Sequence, residues 1–242
     1  MSGRTHRGAM DDPHGSLALI LARLGAGQGR RILDVGAGEG LLAGRLTGRG
    51  WEVTAIERDP GLAARARGRC REVVVADLER GLPALGGPYH AAVYGGVLQH
   101  LSDPLWVLRG LNRAMTPDAL VIASVPNVAH LGVRLSLLLG RFEYSDRGIL
   151  DRSHLRFFTR KSFLDLLEDA GLVVSEFLAT PIPLREGPAS RWRRAAHAVH
   201  AAAARCWAGG LGYEFVAIST LAVTERAVLP AAWRDPAAAA HA

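Results

Sequence analysis

Between residues 31 and 125 the chain alternates short, unbroken apolar runs with stretches of helical periodicity. The runs fall at 32–35, 53–56, 73–76, 91–94 and 120–125, and the helical patterns at 41–46, 62–69 and about 104–114. A strand that is apolar without interruption is buried on both faces, and a parallel sheet covered by helices on both sides is the arrangement that does this. The pattern therefore predicts an α/β domain, a doubly wound Rossmann-like sheet. At 242 residues the chain is long enough for one such domain with a sizeable core.

After residue 125 the rhythm breaks. Residues 127–159 carry an amphipathic stretch and then a polar loop, and read as a lid inserted after the fifth strand. A helix at about 161–170 and a strand at 172–178 resume the alternation. A second insertion at 181–210 combines a proline-containing link with a helical Arg/Ala/His segment. The last strand, 213–223, has no ordinary covering helix before it and is expected to pair antiparallel. A capped helix at 16–24 opens the domain, which is expected to span 16–225. Residues 1–15 are expected to form a flexible leader and 226–242 a disordered, Ala-rich tail.

Charge and cysteines narrow the partners. There are 29 basic and 23 acidic residues, a net charge of +6, and the one lysine is Lys161. That surplus favours acidic partners, but only weakly. Cys70 and Cys206 supply neither a disulfide framework nor a zinc site. No apolar run approaches the roughly 20 residues of a membrane span, and residues 131–139 are interrupted by Arg134. The N-terminal residues lack the apolar core of a signal peptide. A cytoplasmic location is the expectation.

The most informative stretch is Arg31-Ile32-Leu33-Asp34-Val35-Gly36-Ala37-Gly38-Glu39-Gly40, a buried strand running into a glycine-rich turn. Such a turn lets a nucleotide-like ligand approach the backbone. In a pyrophosphate-binding dinucleotide site the third glycine would stand at 41, which is Leu41, so the spacing disfavours NAD. Glu57 ends the second strand, where an acid can accept hydrogen bonds from both ribose hydroxyls, and Asp77 follows the third. Singly, these are equally a plain strand-to-helix turn and two solvated acids; in this order they form one ligand crevice.

At these positions the sequence resembles the class I S-adenosylmethionine-dependent methyltransferases, over about residues 17–225. The resemblance implies S-adenosylmethionine as cofactor. It implies Asp34, Gly36, Ala37, Gly38 and Gly40 at the amino-acid end, Glu57 at the ribose and Asp77 at the adenine, with Arg58, Leu78 and Gly95 beside them. Val97-Leu98-Gln99-His100-Leu101 looks like the Val-Leu-Glu-His-Leu of small-molecule methyltransferases related to the ubiquinone-pathway O-methyltransferases. Some of those are taken to hold a divalent metal with acids that are Gly96 and Gln99 here, so no metal is expected. Residues 150–159 resemble the Leu-Asp-Arg-Thr-His-Leu-Arg-Phe-Phe-Thr phrase of a subfamily associated with glycan and secondary-metabolite pathways.

Methyl transfer from a sulfonium is an in-line displacement, and a hydroxyl acceptor benefits from a base. His100 and His154 are the candidates, with His130 third, and Asn127, Tyr144, Asp151 and Arg156 are the candidate acceptor contacts. The alternatives are structural: His100 bonded to backbone, an Asp151–Arg156 ion pair, Phe157 and Phe158 in the core, and Asn127 capping a helix. Leu131, Leu135, Leu138 and Leu139 form one stripe of a helix at 128–139, read as core or as a homodimer contact. The arginines at 65, 67, 69, 71, 191, 193 and 194 read as a solvated face before an acidic-ligand patch. With no Pro-Pro motif and no RNA-binding module, no nucleic-acid partner is expected. The reading is O-methylation of a secondary metabolite or sugar-type acceptor. The alternatives are N- or C-methylation of a small molecule, or a non-catalytic partner protein of the same fold.

Overall fold

The computed structural model describes residues 12–183 and 191–222. Its elements are α1 (Ser16–Leu24), β1 (Arg31–Val35), α2 (Leu41–Thr47), β2 (Glu52–Glu57), α3 (Pro60–Ala66), β3 (Glu72–Val75), β4 (Tyr89–Gly95), a 3₁₀ turn (Leu98–His100), α4 (Pro104–Asn112), β5 (Met115–Pro126), α5 (Leu131–Leu138), α6 (Arg160–Asp169), β6 (Leu172–Thr180), α7 (Arg191–Cys206), α8 (Ala208–Leu211) and β7 (Glu214–Leu221). They form a seven-stranded sheet in the order β3-β2-β1-β4-β5-β7-β6. β1 to β5 pair in parallel, and β7 lies antiparallel to both β5 and β6. The doubly wound sheet with a reversed last strand is the architecture the alternation predicts.

Strand alternation sorts the core onto two faces. Leu33, Val35, Ala92, Val121, Ala123 and Phe215 pack with Val107, Leu108 and Leu111 of α4 and Phe163 and Leu167 of α6. On the other face Ile32, Val53, Val93, Ile122 and Val216 pack with Ile20, Leu21 and Leu24 of α1 and Ala43 and Leu46 of α2. The order reverses between β1 and β4, so the crevice at the carboxyl ends of the strands opens there.

The leucine stripe departs from the core reading. α5 starts only at Leu131, because His130 caps it by accepting a hydrogen bond at Nδ1 from the Gly132 N–H (3.1 Å). Leu138 and Leu139 are 81% and 72% exposed, Leu135 is also exposed, and Val133 is the buried residue of the helix. Periodicity finds the stripe but not what it faces. In the region expected to be a flexible leader, Asp12 is buried and meets His197 of α7, with Nε2 3.2 Å from Oδ2; residues 1–11 and the expected tail at 226–242 lie outside the described residues. Among the described residues no helix is long and apolar enough to cross a membrane.

Candidate active site

β1 delivers the chain into the glycine turn, and the turn is fastened to β2. The amides of Gly36 and Ala37 both donate to the Ile56 carbonyl, at 2.9 and 3.0 Å. Gly36 and Gly40 have φ of 72° and 73°, and a Cβ on them would lie 2.8 Å from Val97 and 2.9 Å from Ala66. Only glycine satisfies both constraints. The Gly38 amide donates to Glu57 Oε2 and the Asp59 amide to Oε1, each at 2.8 Å. Each carboxylate oxygen has two acceptor positions, so Glu57 is held in place with capacity left for ligand hydroxyls.

Asp34 lies two residues before Gly36, on β1, and is 3% exposed. Burial first, then the charge of Glu57, pushes its pKa up to about 7, against a lowering by the Ala43 backbone N–H. Its Oδ2 is buried without a hydrogen-bond partner. An orphaned carboxylate oxygen beside a ribose-type acid fits a ligand that brings an ammonium group. A cavity of about 240 Å³ gathers Gly36, Glu57, Arg58, Asp77, Leu78 and His100. The cavity thus gathers five of the ten expected cofactor residues with one candidate base, and Asp34, Ala37, Gly38, Gly40 and Gly95 are not part of its lining. Gly95 is exposed at the end of β4, next to the cavity-lining Gly96. Glu79 and Ser153 also line the cavity, although neither stood out in the sequence.

The two candidate bases come together. The His100 and His154 rings are 4.9 Å apart, edge to face. His100 Nδ1 meets the Ser153 carbonyl and His154 Nδ1 the Ile149 carbonyl, both at 3.1 Å. A carbonyl can only accept, so these contacts assign the proton to Nδ1 and leave Nε2 as the basic nitrogen of each ring. Burial lowers the His154 pKa, with His100 adding to the lowering and Ile149 and Asp151 opposing it, which keeps this imidazole neutral.

The candidate acceptor contacts Asp151 and Arg156 have partners of their own. Asp151 Oδ1 accepts from the Ser153 amide (2.8 Å) and hydroxyl (2.6 Å). Burial raises its pKa, but the Ser153 bonds and the two histidines outweigh that and hold the carboxyl below its usual range. Arg156 donates through Nε and Nη2 to the Ser102 carbonyl, with Nε at 2.9 Å, so it and Asp151 have separate attachments rather than the ion pair named as their structural alternative. The Leu155 and Arg156 amides donate to the Gln99 carbonyl at 2.8 and 3.0 Å, stitching the lid to the segment after β4. Tyr144 is exposed in an aromatic group with Phe142 and Phe157, while Phe158 is core.

Asn127 lies away from the cavity, fully buried: Nδ2 donates to the carbonyls of Gly212 (2.7 Å) and Gly209 (3.3 Å), and Oδ1 accepts from the Ala129 amide (3.0 Å). Arg65 and Arg69 engage Glu39, and Arg71 engages Glu52. The side chains of residues 191, 193 and 194 lie outside the described set. Among the described residues no group of three or more His, Cys, Asp or Glu is placed to hold a metal ion.

The fold is Rossmann-like, with a glycine turn after β1 and acids at the ends of the neighbouring strands around one cavity. The chain belongs to the methyltransferase-domain family, whose model matches residues 11–176. It is 28% identical over 158 residues, 60% of this chain and 68% of the relative, to a ubiquinone biosynthesis O-methyltransferase of Pseudomonas aeruginosa. In structure it resembles an S-adenosylmethionine-dependent methyltransferase from Mesorhizobium loti (TM-score 0.57, 16% identity, covering 85% of this chain and 95% of that one). It also resembles the Burkholderia thailandensis 1,6-didemethyltoxoflavin-N1-methyltransferase (TM-score 0.56, 19% identity, 88% and 78% covered). The protein is a class I S-adenosylmethionine-dependent methyltransferase.

Proposed function

We propose that the enzyme methylates a hydroxyl of a small molecule of secondary-metabolite or sugar type, with the His100–His154 pair taking the hydroxyl proton. The observation that carries this reading is the pair itself: two imidazoles 4.9 Å apart, each with Nδ1 committed to a carbonyl, of which His100 lines the cavity. The name of the Pseudomonas relative supports oxygen as the methylated atom, and the 150–159 phrase supports the acceptor class. Bound S-adenosylmethionine supplies the electrophilic methyl group. Glu57 accepts from the ribose hydroxyls, Asp34 faces the ammonium, Asp77 and Leu78 bound the adenine, and the stitched lid excludes water. Nε2 of His100 or His154 accepts the acceptor's proton as oxygen attacks. The exposed leucines of α5 support a homodimer contact, and a cytoplasmic location belongs to the same reading.

His100→Ala or His154→Ala should cut turnover by about two to four orders of magnitude while leaving affinity for S-adenosylhomocysteine unchanged. Near-normal turnover in both variants, with a flat pH-rate profile, would remove the basis for O-methylation. The reaction is also metal-independent in this reading, because Gly96 and Gln99 provide no carboxylate and the Gln99 amide donates to the Gly96 carbonyl at 2.9 Å. Turnover should survive EDTA; a loss restored by magnesium contradicts it.

A further inference from the structure

The reversal of β7 brings to the crevice a group that the ends of the parallel strands do not announce. Because β7 runs against β5, its first residue lies where β5 finishes: Glu214 stands opposite Pro126, and Val216 opposite Ser124. Alternation then fixes the faces. Val216, Ile122, Val93 and Ile32 pack toward α1 and α2, and Glu214, Ser124 and Asp34 are in phase with them. Between β1 and β5 on this face lies Gly95, in register with Ser124, exposed and without a side chain. A Cβ placed on Gly95 would meet no atom nearer than 3.8 Å, from Val93. Along this edge Asp34 and Ser124 are buried, Gly95 is exposed and Glu214 is partly exposed.

The Glu214 carboxyl accepts hydrogen bonds from the hydroxyls of Ser124 on β5 and Ser16 at the start of α1. Two bonds leave about half of a carboxylate's acceptor positions unspent, and each serine oxygen keeps lone pairs of its own. Neighbouring atoms desolvate this carboxyl and raise its pKa, yet the residue remains partly exposed. What places the residue at the carboxyl end of the sheet is the register, with Glu214 opposite the last residue of β5.

We propose that Glu214, braced by Ser16 and Ser124, is a specificity-determining group of the methyl-acceptor pocket. It accepts a hydrogen bond from a hydroxyl or ammonium substituent of the acceptor other than the methylated atom. The inference rests on the small-molecule methyltransferase reading above. Distance separates it from the cofactor: three strand spacings lie between β1 and β7, roughly 14 Å, whereas Glu57 on β2 and Asp34 on β1 take the two ends of a nucleoside with an amino-acid tail. A molecule that reaches Glu214 comes over β4 and β5, the side on which an acceptor must lie.

The test uses the full chain loaded with S-adenosylhomocysteine and three probes: catechol and methyl α-glucoside, which carry paired hydroxyls, and tyramine, which carries an ammonium. Binding is read by ligand-detected NMR in the wild type, Glu214→Gln and Ser124→Ala, with thermal melting to confirm folding and calorimetry for S-adenosylhomocysteine. At least one probe should bind the wild-type complex and lose tenfold or more in Glu214→Gln, with S-adenosylhomocysteine affinity unchanged within twofold; which probe responds identifies the donor. Ser124→Ala, which frees a carboxylate position without removing charge, should weaken the same probe less than Glu214→Gln does. No probe binding, probe affinity indifferent to Glu214→Gln, or a parallel loss of S-adenosylhomocysteine affinity overturns the proposal. Failure of the wild type to bind S-adenosylhomocysteine at all would instead overturn the underlying reading.

Discussion

Glu57 and Asp34 show how one crevice treats two buried acids differently. Glu57 is met by the backbone amides of Gly38 and Asp59, whereas Asp34 keeps an oxygen without a partner. Glu57 therefore orients the glycine turn, and in the proposed reading it also receives the ribose. Glu57→Ala should weaken S-adenosylhomocysteine by about 1 to 3 kcal/mol, the cost of unpaired buried polar groups, with Glu57→Gln falling between it and the wild type. Calorimetry showing equal affinity in all three would move the ribose elsewhere.

Among the elements, the connection after β5 divides into a part that holds and a part that covers. Asn127 ties the end of β5 to the α8 corner through the carbonyls of Gly209 and Gly212, while residues 155 and 156 tie the lid to Gln99. Asn127→Ala should cost about 1 to 3 kcal/mol, a fall of roughly 2 to 4 °C in melting temperature for each kcal/mol. Asn127→Asp should be worse, because it aims a carboxylate at two carbonyl oxygens. Both should leave S-adenosylhomocysteine affinity intact in the folded fraction; a loss of affinity without a fall in melting temperature would return Asn127 to the binding site. The central strands, the glycine turn, Glu57 and Asp77 were legible in the sequence because burial on both faces and a tight turn each demand particular residues. Asn127 was legible only as a polar residue after a strand, since its three partners include two more than 80 positions away. The α5 stripe misled because period reports that one face is apolar and not whether anything covers it. Glu214 was hidden because the sequence, although it marked the last strand as antiparallel, did not say which strands it would join, and so not that its first residue would stand beside the end of β5.

For the whole molecule, Asp34 links stability, cofactor binding and pH. Its folded pKa, about 7, lies above the ordinary carboxylate value of 3.8. The folded state therefore holds a proton that the unfolded state has lost, and this contribution, full below pH 4, disappears as pH rises through 7. Asp34→Asn should melt higher than the wild type at pH 8 and close to it at pH 4, and an equal difference at both would refute the linkage. Binding a ligand ammonium reverses the preference, so S-adenosylhomocysteine should bind the wild type more tightly at pH 7.5 than at pH 5.5, with proton release seen as buffer-dependent heat.

The reversed strand also orders events during synthesis. β6 lies at the edge of the sheet and touches the rest of it only through β7, and β7 is made last of the seven. A nascent chain that has released β6 but not β7 holds a strand with no seat, and the late strand must slide between two that already exist. Because Glu214 opens that strand, a chain halted before it can assemble the glycine turn yet lacks the far wall of the crevice.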